Sequence, residues 1–116
     1  MSEFVWKTFT EIRGMESGSY EVHFKTRSAT YRMYHEPDCC ESVYLDDVCG
    51  DPSGLIGTPI LGAYYGDSSG VKAKSESDES FTWTFYRFAT IKGTVTLKWY
   101  GTSNGYYSEC VNIERL

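Results

Sequence analysis

One of the two histidines and three of the four cysteines crowd into "YHEPDCCESVYLDDVCGD", residues 34–51. His35, Cys39, Cys40 and Cys49 follow the spacing His-x3-Cys-Cys-x8-Cys. A structural zinc ion takes four soft or borderline donors in a tetrahedron, commonly two from one turn and two from another element. Pro37 stiffens the bend in "HEPDCC". The turn is therefore expected to offer His35 and thiolate from the Cys39/Cys40 pair to one ion, with Cys49 arriving from the far end of the next segment. The other cysteine of the pair, Asp38, Glu41, His23 and Cys110 are the candidates for the remaining position. The spacing matches no standard finger or ribbon built on paired C-x2-C knuckles, and the competing reading is a set of packed thiols without metal.

A nucleophilic cysteine needs a nearby base and a depressed pKa. Glu36, Asp38, Glu41, Asp46, Asp47 and Asp51 surround these thiols and oppose a thiolate. The chain also lacks a Gly-rich phosphate loop and the H-E-x-x-H, G-x-S-x-G and deaminase signatures. No enzyme is expected. Two alternatives stand beside that reading: a small zinc-dependent hydrolase with Glu41 as base, and a ligand-binding β-module that uses its Tyr and Trp side chains as stacking platforms.

Eleven basic residues face sixteen acidic ones, a net charge of −5. Phosphate binding is driven by Lys and Arg displacing counterions, so direct nucleic-acid binding is not expected and a basic partner suits the surface. Asp46, Asp47 and Asp51 beside the cysteines, and Glu76, Asp78 and Glu79 in a polar segment, are the candidate partner-binding residues. Their competing reading is a solvated face that keeps the protein soluble. The opening "MSEFVWKTFTEIRG" has neither a basic leader nor an apolar run of signal-peptide length, and nothing later approaches a membrane span. The expectation is a soluble intracellular chain whose thiols stay reduced.

The elements that must position these groups are mostly strands. A chain of 116 residues makes one domain, 1–116, and its ten tyrosines favour pleated surfaces. "SFTWTFYRFATI" alternates Phe81, Trp83 and Phe85 against Thr82, Thr84 and Tyr86, and alternating aromatics of this kind usually face a core. "GTVTLKWY" sets Val95, Leu97 and Trp99 on one face, after a tight turn near Lys92-Gly93. Asn104-Gly105 suits a type I′ turn, so "YYSECVNIE" is expected to fold back on "TLKWYGTS" as the third strand of a meander, with Cys110 a small core residue. "SYEVHFKT" and "ATYRMYHE" form a second hairpin, with Tyr20, Val22, Phe24, Tyr31 and Met33 inward. "ESVYLDDV" and "GTPILGAYYG" read as further strands, "DPSGLIG" as one helical turn, and the N-terminus as a short helix capped by Ser2 and followed by a strand. Residues 66–80 have no apolar period and are expected to form a mobile loop or hairpin tip. The fold class is mainly β: an antiparallel meander curled into a sandwich or partly open barrel, with one or two short helical segments, the alternative being an α+β roll.

Over roughly residues 30–113, "HEPDCCESVYLDDVCGD" and "FTWTFYRFATIKGTVTLKWYGTSNGYYSECV" resemble a family of small proteins encoded by bacteriophages and prophages. In that family a His-rich turn runs into a Cys-Cys-Glu stretch and a closing "SNGYYSE"-type segment follows. The chain is also similar to zinc-containing anti-CRISPR inhibitors of the Cas9 effector. That resemblance implies stoichiometric binding to a basic bacterial defence protein of the Cas9 type, a structural zinc, and action in the cytoplasm of an infected bacterial host. Small size and acidity agree with it, because such an effector holds guide and target in positively charged channels.

Overall fold

The longest alternating stretches pair with each other. β6 (Ser80–Thr90) and β7 (Gly93–Ser103) form an antiparallel hairpin in unbroken register, from Ser80 opposite Ser103 to Thr90 opposite Gly93. The two-residue loop, Ile91 and Lys92, ends at Gly93, whose φ of 137° a β-carbon would resist. This hairpin is the centre of a sheet ordered β4-β7-β6-β5, with β4 at Ser42–Cys49 and β5 at Gly62–Asp67. A second sheet is ordered β1-β2-β3-β8, from β1 (Glu11–Arg13), β2 (Glu21–Lys25), β3 (Thr30–Tyr34) and β8 (Asn112–Arg115). The computed structural model describes residues 1–67 and 71–116. Every strand pair is antiparallel, and the whole is a two-sheet β-sandwich. Among the described residues no helix is long and apolar enough to cross a membrane.

Val22, Phe24, Tyr31 and Met33 enter the core from the first sheet, as their alternation predicts. Val43, Leu45, Tyr86, Phe88, Val95, Leu97 and Trp99 enter from the second. The buried Trp99 indole N–H donates to the Met33 sulfur at 3.2 Å, which joins the two sheets. β4 explains its own sequence through a bulge. Leu45 faces Trp99 and Asp47 faces Lys98, so Asp46 is the extra residue, and Val48 turns inward where strict alternation would have sent Asp47.

The connecting segments close the sandwich. A single 3-10 turn at Ser2–Phe4, without a side-chain cap, stands where the short helix is expected, and another at Pro52–Leu55 fits the "DPSGLIG" reading. Phe4 is fully buried, with ring centroids 5.8 Å from Phe9, 6.0 Å from Phe24, 5.0 Å from Tyr31 and 5.6 Å from Phe88. It therefore touches rings from both sheets. Tyr20, expected inward, precedes β2 and is exposed.

Two further expectations are corrected. The chain bends at Asn104-Gly105, with Tyr106 N–H donating to Asn104 Oδ1, but only Gly105 takes the positive φ that a type I′ turn needs at both positions, and the chain beyond does not return along β7. β4 already occupies that edge, and β8 crosses to the other sheet to pair with β3, Ile113 opposite Met33. Glu109 pins the crossing by accepting from the hydroxyls of Ser80, Thr82 and Ser103 at 2.6, 2.8 and 2.5 Å. Cys110 is accordingly exposed and outside any strand.

The second correction concerns β6. Its inward face carries Thr84, Tyr86 and Phe88, while Phe81, Trp83 and Phe85 lie on the opposite face. Residues 71–79 strap across that outer face. Trp83 Nε1–H donates to Lys72 O at 2.9 Å, Lys74 N–H to the Tyr100 hydroxyl at 3.0 Å, and that hydroxyl to Asp78 at 2.5 Å. Lys74 Nζ pairs with Asp46 and donates to the Tyr44 hydroxyl. The expected free loop is thus a tethered strap over 71–79, and residues 68–70 of it lie outside the described residues.

Removing the Phe4 ring leaves a void that neither sheet can collapse to fill. Phe4→Ala is expected to cost about 3–5 kcal/mol in denaturant unfolding, whereas truncating the exposed Trp6 costs a small fraction of that.

Candidate functional site

The chain passes from one sheet to the other at residues 35–41, between β3 and β4, and returns at 104–111, between β7 and β8. His35 ties these two crossings together. Its Nδ1–H donates to the Cys110 carbonyl at 2.7 Å, and a carbonyl can only accept, so Nδ1 carries the proton. Nε2 lies 3.2 Å from Glu41 Oε1, an ion pair when the ring is protonated, and makes no other hydrogen bond. Both side chains are sequestered, His35 at 7% exposure and Glu41 at 1%.

Glu41 folds the turn onto itself. Its Oε1 accepts from the Asp38 backbone N–H at 2.6 Å and its Oε2 from that of Cys39 at 3.3 Å. These donors, Asp38 first, together with His35, hold its carboxyl down at about 2 against the pull of burial. A carboxylate held that low is a weak base at neutral pH. Tyr20, Glu21, His35, Pro37, Glu41, Ser42 and Val43 line an open recess of about 380 Å³ at this turn.

The expected zinc ligands are not brought together. Cys39 and Cys40 are joined to each other as a disulfide. Cys49 ends the eight-residue β4, whose seven rises of about 3.3 Å put it roughly 23 Å from the turn. It is exposed, and its thiol points to Asp47 Oδ2 at 3.6 Å. His23 lies on the surface of β2 beside Glu21. Among the described residues no three His, Cys, Asp or Glu side chains are gathered to hold an ion. Glu41, only a fallback ligand in the sequence, is the side chain that the fold brings to His35.

The candidate partner-binding carboxylates divide sharply. Asp46 is spent on Lys74 and Asp78 on Tyr100. Asp47 Oδ1 accepts from Val48 N–H. Asp51 caps the Pro52–Leu55 turn by accepting from the hydroxyl and backbone N–H of Ser53, which hold its carboxyl below the ordinary range. Glu76 and Glu79 are exposed on the strap and have no hydrogen bond or ion pair among the described residues.

An antiparallel β-sandwich whose two sheet crossings are clamped by a buried histidine–carboxylate pair is the class that this geometry defines. The chain belongs to the DUF7448 family, a domain of unknown function whose model matches residues 2–113. No curated protein and no solved structure matches it.

The Glu41 clamp has a definite pH signature. Its carboxyl titrates at about 2 in the fold and at its ordinary 4.5 when unfolded, so between those values the unfolded chain binds more protons. The contribution is complete above pH 4.5 and is lost as pH falls toward 2. Thermal melts across this window are expected to show that loss, and Glu41→Gln to lower the melting temperature at neutral pH while flattening the acid dependence.

Proposed function

We propose that the protein is a non-catalytic, phage- or prophage-encoded inhibitor of the anti-CRISPR kind, acting in the bacterial cytoplasm by stoichiometric binding to a basic defence effector of the Cas9 type. The observation that carries the reading is the strap. It holds Glu76 and Glu79 out to solvent, unspent, while Lys74, one of its two lysines, is paired with Asp46. Burial and the hydrogen bond to Asp78 raise the Tyr100 pKa, and Asp46 with Tyr44 raises that of Lys74, so the strap's anchors keep their charge states at neutral pH. A tethered segment gives up less conformational entropy on binding than a free one. Two carboxylates on such a segment match Lys and Arg side chains that otherwise track phosphates. The acidic surface nominated from sequence contracts in this reading to Glu76 and Glu79, because the other four carboxylates already have partners within the chain.

A structural zinc belongs to this proposal only in a reduced form of the turn, where His35 Nε2 and Glu41 Oε1 already face each other and a freed thiolate of Cys39 or Cys40 adds a sulfur donor. Elemental analysis under reducing conditions tests it. About one zinc per chain, retained in Cys49→Ser and lost in His35→Ala, is the expected result, and below about 0.2 zinc per chain the metal leaves the account.

The effector reading is tested by mixing purified protein with Cas9-type effector, guide and target, following complex formation by gel filtration and cleavage at increasing molar ratio. Inhibition is expected to saturate near one inhibitor per effector and to weaken as salt rises. Glu76→Lys with Glu79→Lys is expected to reduce affinity about tenfold or more at low salt, with Asp47→Lys closer to wild type. Unimpaired cleavage and no complex at a large excess, across several effectors, would overturn the assignment.

A further inference from the structure

The two edges of the β4-β7-β6-β5 sheet are finished differently. At the β4 edge the β1–β2 connection docks on the bulge, with Gly18 N–H donating to Leu45 O, Leu45 N–H to Ser19 O, and the Ser17 hydroxyl to Asp46 O. At the β5 edge, Gly62–Asp67 pairs with β6 on one side, and among the described residues no other backbone group bonds to it. The N-terminal 3-10 turn packs near β5 without hydrogen bonding to it. β5 contains neither a lysine nor a proline, two of the residues that commonly protect a free edge.

The outer face beside this edge is cationic and aromatic. Register places Tyr64, Arg87 and Thr96 in one cross-strand row and Gly66, Phe85 and Lys98 in the next. The Arg87 guanidinium sits 4.7 Å from the centre of the Tyr64 ring, so it leans from β6 outward over the edge strand. Among the described residues neither Arg87 nor Lys98 has a carboxylate within ion-pairing distance. A β-carbon at Gly66 would meet nothing within 4 Å, which leaves the surface beside Phe85 open. Tyr64, Tyr65, Gly66, Phe85, Arg87 and Thr96 line a groove of about 320 Å³ there. On a chain of net charge −5, this patch is of the opposite sign.

We infer that the β5 edge, with Tyr64 and Arg87 above it, is a docking site for an extended acidic peptide segment of a partner protein, which adds to the sheet as a fifth strand. An added strand lies about 4.8 Å beyond β5, where its outward side chains come level with Tyr64 and within reach of the guanidinium. Backbone bonds along Gly62–Asp67 supply affinity, and Arg87 selects a carboxylate. A second copy of the chain fits less well. Antiparallel pairing of two β5 strands about a two-fold axis keeps the outer faces on one side, so it brings a second Arg87 cation to the same face and no carboxylate to meet the first. This site lies apart from the strap carboxylates and selects the opposite charge, so it stands or falls independently of the effector reading.

The test titrates 15N-labelled protein with a short acetylated and amidated peptide alternating glutamate and valine, and with its lysine counterpart, at low salt. Amide shifts confined to Gly62–Asp67 and adjoining β6, saturating with the glutamate peptide alone, are expected. Arg87→Ala, at an exposed position whose loss leaves the fold intact, is expected to weaken binding about fivefold, and Arg87→Glu to transfer preference to the lysine peptide. No shift at millimolar peptide, equal binding of both peptides, or unchanged affinity in Arg87→Ala would overturn the inference. So would β5 shifts that follow protein concentration with a dimer in gel filtration, which would give the edge to a second copy.

Discussion

The rest of the structure depends on the pairing of β6 with β7. Eleven residues on each side meet without a bulge, and β4, β5 and the Pro52–Leu55 turn pack directly against that hairpin. Its inward side chains, Tyr86, Phe88, Val95, Leu97 and Trp99, form a third of the buried core cluster, and its edges template β5 and β4. Its outward aromatics need a cover of their own, which the strap supplies. A strand buried on both faces tolerates no slip, since a shift of one residue would exchange the core set for the strap set.

The crossings between sheets are where polar chemistry concentrates, and burial explains why. A backbone that leaves one sheet for the other gives up its ladder partners, and its polar groups must then be satisfied locally. Glu41 does this for the first crossing and Glu109 for the second, the one through backbone N–H groups and the other through three hydroxyls. His35 joins the two. What looked in sequence like a set of metal donors is organised in the fold mainly as a clamp, with carboxylate and imidazole holding the turn and the disulfide beside them.

Much of the architecture was legible. The mainly β class, the β2–β3 and β6–β7 hairpins, the single helical turn at "DPSGLIG" and the inward Val22, Phe24, Tyr31, Met33, Val95, Leu97 and Trp99 all follow from period-two alternation and turn residues. The site was legible in part. The density of chemistry around His35 marked the right turn, but Cys49 was attached to it by sequence proximity alone, and a strand of eight residues carries it to the other end of the sheet. Glu109 had no local signal, because its three partners lie in β6 and at the end of β7.

Local sequence determined which segments are strands and where they turn, because alternation, Gly and Asn-Gly act on the backbone within a few residues. It did not determine partners or faces. β6 carries aromatics on both sides, so hydrophobicity alone does not say which side is inside. That was decided by where Phe4 and the first sheet close, and by the polar anchors of the strap. The last strand likewise alternates well enough for either sheet. It joins β3 because β4, whose bulge turns Val48 to the core, already fills the edge of β7, and competition of that kind exists only in three dimensions.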